Sequence, residues 1–240
     1  GDKAIIHIDF LPAEIDAAYH PEIELVGDIA DNLAMLNEGF RAIRSFEFDN
    51  QQQRRTREDM GQELACHGND DSVGLIKPQK VLHDVQQVYG DDGLLLSDVG
   101  AHKMWIARHY HCRQPNGCLI PNGFCSMGFA LPGAIAASLV DADRRIMGIA
   151  GDAGFLMNVQ EMETAARLNS NITMMVWEDH AYGLIAWKQW AHFGRHTDLS
   201  FGNPDWSLLA AAFSWDYQAV DDSGELLAAV TRAANHRGPS

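Results

Sequence analysis

The stretch "GIAGDAGFLMNVQEMETAARLNSNITMMVWEDHAYG", Gly148 to Gly183, sets the fold. It begins inside an apolar run of strand length, "RRIMGIA" (Arg144–Ala150). That run breaks into Gly151-Asp152-Ala153-Gly154, the pattern of a buried parallel strand ending in a glycine turn. "NVQEMETAARL" (Asn158–Leu168) then sets Val159, Met162, Ala165 and Ala166 at helical spacing between charges, which predicts an amphipathic helix. After Asn169-Ser170-Asn171 a second apolar run, "ITMMVW" (Ile172–Trp177), ends at Glu178-Asp179. Strand, helix and strand in this order form a right-handed crossover unit, whose two strands run parallel with their carboxyl ends side by side. Asp152 and Asp179, 27 positions apart, are thereby expected to meet in space.

Open parallel sheets take ligands at the carboxyl ends of their strands. Here that edge offers two carboxylates, the backbone N–H groups of Ala153 and Gly154, and a helix N-terminus. Carboxylates attract a hard divalent cation, whereas amides and a helix dipole attract phosphate. A magnesium-bridged diphosphate satisfies both, because Mg²⁺ favours a few protein oxygens plus ligand phosphates. Two solvated turn carboxylates have the same spacing, so local sequence leaves both readings open. Gly148, Gly151 and Gly154 read GxxGxxG and not GxGxxG, which mis-spaces the turn that a dinucleotide pyrophosphate needs.

"GDAGF…WEDHAYG" resembles the GDG…NN signature of thiamine diphosphate enzymes. The resemblance implies Asp152 and Asp179 as side-chain ligands of Mg²⁺ and the Ala181 carbonyl as the third protein ligand. It also implies that Gly151, Ala153, Gly154, Tyr182 and Gly183 border the cofactor. This sequence departs from the signature in two places: Ala153 stands where glycine is usual, and Glu178-Asp179 stands where Asn-Asn is usual, which makes the site more acidic. Upstream, "LLLSDVGAHKMW" (Leu94–Trp105) is another strand ending in a glycine turn. It resembles the family segment that contacts the diphosphate, with Gly100, Ala101 and His102 in the matching positions. Taken alone, His102 reads first as a polar residue in an exposed turn. "IPNGFCSMGFALPGAIAAS" (Ile120–Ser138) leads from an Asn122-Gly123 turn into a helix of small residues that permits close backbone approach. It resembles the acetolactate synthase segment GTMGFGLP. That implies Met127 as the apolar support imposing the cofactor's bent shape, and the Cys125 carbonyl as acceptor for the pyrimidine amino group. Taken alone, Met127 reads as core.

The implied fold class is α/β, a doubly wound parallel sheet preceded by a remnant of a second α/β domain. "KAIIHIDFLPAEIDAAYHPEIELVGDIADNLAMLNE" (Lys3–Glu38) reads as strand, turn, short helix, strand and helix, and resembles the end of the family's central domain. The expected division is therefore 1–40 for that remnant, 41–76 for a polar helical or flexible connector, and 77–240 for the thiamine diphosphate-binding domain. Nothing matches the family's pyrimidine-binding domain, whose glutamate activates the cofactor. The sequence therefore reads as a piece of a protein more than twice as long, with no activating residue of its own and no activity in isolation.

The chain has 240 residues, 46% of them apolar, and a formal charge of −15. That charge argues against nucleic acid and anionic membrane partners, and the cluster Arg54, Arg55 and Arg57 reads as a solvated helix face. No apolar run has membrane length and no signal peptide opens the chain, so a cytoplasmic protein is expected. Cys66, Cys112, Cys118 and Cys125 lack the spacing of a disulfide framework and are expected as reduced thiols; a zinc site from His109, His111, Cys112 and Cys118 fits no standard spacing.

Within the family the resemblance is strongest to acetolactate synthases, which implies condensation of two pyruvates to 2-acetolactate with loss of CO₂. Trp187 follows Ala186 directly, as in the catabolic, FAD-independent forms. Pyruvate oxidases, glyoxylate carboligases and 2-keto-acid decarboxylases share the metal and diphosphate motifs, and a non-catalytic nucleotide-binding module is the alternative from another class. The implied partners are pyruvate or a related 2-keto acid, with the full-length protein a homodimer or homotetramer.

Overall fold

A computed structural model describes residues 4–43, 49–90 and 92–240. The chain forms two compact units, Gly1–Gln53 and Arg54–Ser240. In the first unit, β1 (Ile6–Asp9) and β2 (Ile23–Val26) pair in parallel from Ile6↔Ile23 to Asp9↔Val26. They precede helix α1 (Ile29–Ala42), whose N-terminus is capped by the Asp28 carboxylate accepting from the Asp31 amide. The short helix expected between the two strands is not formed. Asp16 instead accepts from the backbone amides of Ala18 and Tyr19, a side-chain turn that competes with helical hydrogen bonding.

The boundary between the units falls inside helix α2 (Gln51–Ala65), on which Arg54, Arg55 and Arg57 are exposed as expected. The second unit continues with α3 (Pro78–Tyr89), β3 (Leu94–Ser97), α4 (Ala101–His109), β4 (Cys118–Leu119), α5 (Ala130–Val140) and β5 (Ile146–Gly151). Next come α6 (Asp152–Met157), α7 (Glu161–Arg167), β6 (Ile172–Trp177), α8 (Gly183–Phe193), α9 (Trp206–Ala212) and α10 (Ser223–Asn235). Its sheet has the order β4-β3-β5-β6 with every pair parallel, and β5 pairs with β6 from Ile146↔Ile172 to Gly151↔Trp177.

Alternation along the strands builds a core on each face, because successive strand side chains point to opposite sides. Leu94, Leu96, Ile146, Ala150 and Ile172 pack on one side with α5, Met162 and Ala165 of α7, and Ala210 of α9. Leu95, Met147 and Ile149 pack on the other with Val81, Leu82 and Val85 of α3, Ile106 of α4, and Leu226 and Val230 of α10. This is the doubly wound α/β fold. The strand order places a topological switch between β3 and β5: the chain leaves β3 for β4 on one side and returns to β5 on the other, so the connections diverge and open a crevice at the strands' carboxyl ends.

Two local expectations are corrected. No turn separates β5 from α6, which begins at Asp152 itself with Gly151 as its N-cap. The helix expected over 158–168 is confined to α7, because the chain first completes α6 and breaks at Asn158. Met162 and Ala165 still face the core as the spacing requires.

Candidate functional site

The crevice at the switch point opens into a cavity of about 880 Å³ that also runs along β6 toward α10. All the residues that the resemblance implies for metal and cofactor line it: Gly100, Ala101 and His102 after β3; Cys125 and Met127 ahead of α5; Gly151 to Gly154 after β5; and Asp179, Ala181, Tyr182 and Gly183 after β6.

Asp152 is 1% exposed, so the reading of it as a solvated turn residue is overturned. Its Oδ1 accepts from the Ala153 amide at 2.8 Å, which corrects a second expectation: that N–H is engaged by the neighbouring carboxylate and is not free for a ligand. Its Oδ2 accepts from the His180 amide at 2.8 Å and the Asp179 amide at 3.3 Å, joining the ends of β5 and β6 directly. Asp179 is exposed and accepts from the Ala181 amide at 3.1 Å. Desolvation holds its carboxyl above the usual range, opposed by the Ala181 hydrogen bond and reinforced by the charge of Asp152. Gly183 is glycine for a visible reason: a Cβ there would collide with the Asp179 carboxylate.

Ala181 forms an antiparallel bridge with Ser200. The two hydrogen bonds of that bridge belong to its neighbours, Tyr182 N–H to Leu199 and Phe201 N–H to His180, so the Ala181 carbonyl is left out of the ladder. An exposed carboxylate raised in pKa, a buried carboxylate beside it and a backbone carbonyl together offer oxygen donors suited to a hard cation that keeps other ligands of its own. The fit is independent of any cluster of acidic and imidazole side chains. Among the described residues no three His, Cys, Asp or Glu side chains gather as a metal site. All four cysteines are free.

His102, at the start of α4, is 4% exposed, against the reading of an exposed turn residue. Its ring packs edge-on to Trp177 with centroids 6.1 Å apart, and a Cβ added at Gly100 would collide with it. Burial lowers its pKa, with Asp98 opposing, so the imidazole is neutral near pH 7. Its Nε2 is buried without a hydrogen-bond partner. An orphaned imidazole nitrogen at a helix N-terminus beside glycines fits a phosphate group, which would supply the missing partner.

The segment ahead of α5 is held in a tight coil, with φ of +79° at Gly123, +51° at Cys125 and +83° at Gly128. Lys103 donates to the Pro121 carbonyl at 2.9 Å and contacts the Cys125 thiol at 3.2 Å. Fully buried Asp98 accepts from the amides of Gly128 at 2.9 Å and Ala130 at 3.0 Å, and Asn158 donates to the Gly128 carbonyl at 2.8 Å. Half-buried Met127 is thereby fixed at the cavity wall by its neighbour's clamped peptide.

Sequence reasoning missed Asp98, Lys103, Asn158 and Asn203. Asp98 carried a usable signal, since it follows the apolar run of β3 as Asp152 follows that of β5. Asn203, which donates to Asp152 Oδ2 at 2.8 Å across 51 residues, carried none.

Comparison with known proteins adds to this geometry. Residues 98–240 match the family model described as "Thiamine pyrophosphate enzyme, C-terminal TPP binding domain". The acetolactate synthase of Bacillus subtilis (strain 168) is 30% identical over 241 residues, which cover 100% of this chain and 42% of that protein. The catabolic acetolactate synthase of Raoultella terrigena is 34% identical, covering 98% of this chain and 42% of that protein. The acetolactate synthase isozyme 1 large subunit of Escherichia coli (strain K12) is 26% identical, covering 98% and 41%. The chain thus spans about two fifths of the length of these curated relatives.

Proposed function

The chain belongs to the thiamine pyrophosphate enzymes, of which it carries the C-terminal TPP binding domain, and from that premise we propose that it is the diphosphate-holding part of an acetolactate synthase. Thiamine diphosphate (the same compound as thiamine pyrophosphate) and Mg²⁺ are the cofactors that membership implies. The proposed reaction joins two pyruvates to 2-acetolactate with release of CO₂. The observation that carries the reading is the similarity to acetolactate synthases over 98% or more of the chain, not over the cofactor domain alone. The catabolic, FAD-independent type is favoured by Trp187 standing directly after Ala186.

In this reading the Asp152 and Asp179 carboxylates and the Ala181 carbonyl hold Mg²⁺. Gly100, Ala101, Gly151, Ala153, Gly154, Tyr182 and Gly183 border the cofactor, and the His102 Nε2 meets its diphosphate. Met127 would pack against the cofactor as its apolar support and the Cys125 carbonyl would accept from its amino group. When bound, the cofactor supplies a nucleophilic carbon and an electron sink for decarboxylating a 2-keto acid. The chain's own part is placement: carboxylates for the cation, glycines that admit phosphate oxygens close to the backbone, and apolar walls that exclude water.

The division into 1–40, 41–76 and 77–240 belongs to the same reading. Ile6, Phe10, Leu11, Ile15 and Ile23, all more than half exposed in the first unit, support its place in a larger domain. A cytoplasmic location and a homodimeric or homotetrameric full-length protein complete the proposal. Among the described residues no helix is long and apolar enough to cross a membrane.

The deciding experiment supplies the full-length protein with pyruvate, Mg²⁺ and thiamine diphosphate. Acetolactate without added FAD is expected. Acetaldehyde or acetyl phosphate as product would retain the family and remove the synthase assignment. The present chain alone is expected to give no acetolactate above background.

A further inference from the structure

Asp152 is more heavily engaged than a cation ligand requires, and one of its partners arrives from far along the chain. Oδ1 accepts a single hydrogen bond, from the Ala153 amide. Oδ2 accepts three: from the His180 amide at 2.8 Å, the Asp179 amide at 3.3 Å and the Asn203 side-chain amide at 2.8 Å. A carboxylate offers about two lone-pair sites per oxygen. Oδ2 is therefore saturated by protein donors, and Oδ1 alone keeps room for another partner.

The same Asn203 Nδ2 donates to Glu178 Oε1 at 2.9 Å, an oxygen that also lies 3.2 Å from His180 Nε2. Both carboxylates can only accept, so the amide must turn its NH₂ toward them. Its Oδ1 is buried with no hydrogen-bond partner. Leaving that acceptor unsatisfied is unfavourable, and the side chain's two N–H bonds to carboxylates are what offset it.

Asn203 is also held rigidly. Upstream, Phe201 N–H donates to the His180 carbonyl at 2.9 Å and Tyr182 N–H to the Leu199 carbonyl at 3.0 Å, with the Tyr182 and Phe201 rings 5.3 Å apart. Downstream, Pro204 restricts the backbone and Asp205 caps α9 through the Ser207 and Leu208 amides. The amide is thus delivered to Asp152 from a segment anchored on both sides.

We propose that Asn203 is a positioning residue for the cation site: it occupies Oδ2 of Asp152 so that a divalent cation meets that carboxylate through Oδ1 alone. The inference rests on the reading of Asp152 and Asp179 as cation ligands. It is tested by titrating Mn²⁺, followed by its paramagnetic resonance signal, into the full-length protein saturated with thiamine diphosphate. Asn203→Leu, of similar branched shape but without donors, is expected to weaken Mn²⁺ binding about tenfold or more, as losses of residues that orient metal ligands do. Asn203→Ser, which retains one donor, is expected to fall between the two, with the metal-free melting temperature of the serine variant near that of the wild type. Equal Mn²⁺ affinity in wild type and Asn203→Leu overturns the proposal. So does a serine variant as impaired as the leucine variant. No Mn²⁺ binding by the wild type overturns the ligand assignment itself, and this proposal with it.

Discussion

Asp152 and Asp179 are chemically unlike although sequence presents them as a pair. Asp152 is buried and surrounded by donors, whereas Asp179 is exposed, has one amide donor and lies beside the other's charge. A carboxyl whose pKa is raised by folding gives up its proton later in the folded chain than in the unfolded one. Its stabilising contribution is full below the unfolded value of about 3.8 and is lost as pH rises through the folded value. At neutral pH the metal-free protein therefore carries Asp179 as a destabilising charge. Asp179→Asn keeps an acceptor for the Ala181 amide and removes the charge. It is expected to raise the metal-free melting temperature by about 1–3 °C while lowering Mg²⁺ affinity only modestly, because an amide oxygen is the usual ligand at this position of the signature. Calorimetric scans with and without Mg²⁺ check both signs; a variant that is less stable without metal would contradict the account.

At the scale of elements, the Gly123–Gly128 coil depends on backbone conformations that a side chain resists. Gly123 and Gly128 both have positive φ, but their surroundings differ: a Cβ at Gly123 meets nothing within 4 Å, whereas one at Gly128 collides with the Asn158 side chain and lies 3.3 Å from Met157 Cβ. Gly123→Ala should cost about 1 kcal/mol from backbone strain alone, and Gly128→Ala about 2–4 kcal/mol from strain plus overlap. Urea unfolding midpoints, with unchanged denaturant slopes, measure the difference. Equal losses would mean that Asn158 moves aside freely and does not hold the coil.

At the scale of the whole second unit, acid should weaken the fold through buried imidazoles. His109 is fully buried, stacked on Trp105 with centroids 5.8 Å apart and 3.6 Å from Glu63. Burial lowers its pKa from 6.5, opposed by the charge of Glu63 and assisted by Arg108, His111 and His67. The unfolded chain then binds the proton first, so stability is lost as pH falls below about 6.5 toward the folded value. His102 acts in the same direction. His109→Phe retains an aromatic ring against Trp105 and removes the titration. Its melting temperature is expected to fall less steeply between pH 6.5 and 5 than that of the wild type, on the order of 1–3 °C less.

The parallel order of β5 and β6, the meeting of Asp152 with Asp179 and the glycines of the crevice were all legible in the order of residues. Each comes from short-range patterns: apolar runs of strand length, helical spacing between them, and glycine at their ends. The family was legible too, because GDAGF and WEDHAYG retain residue types at fixed spacing. Folding in three dimensions was needed to establish that Asp152 starts a helix and is buried, that the Ala153 amide is already used, that His102 is enclosed, and that Asn203 reaches Asp152 across 51 residues. Those outcomes depend on which distant segments come to rest on the strand ends. No periodicity encodes that placement, since it is fixed by the loop after β6 and the segment ahead of α9 closing on the strand ends, through His180, the Tyr182–Leu199 and Phe201–His180 hydrogen bonds and Asn203.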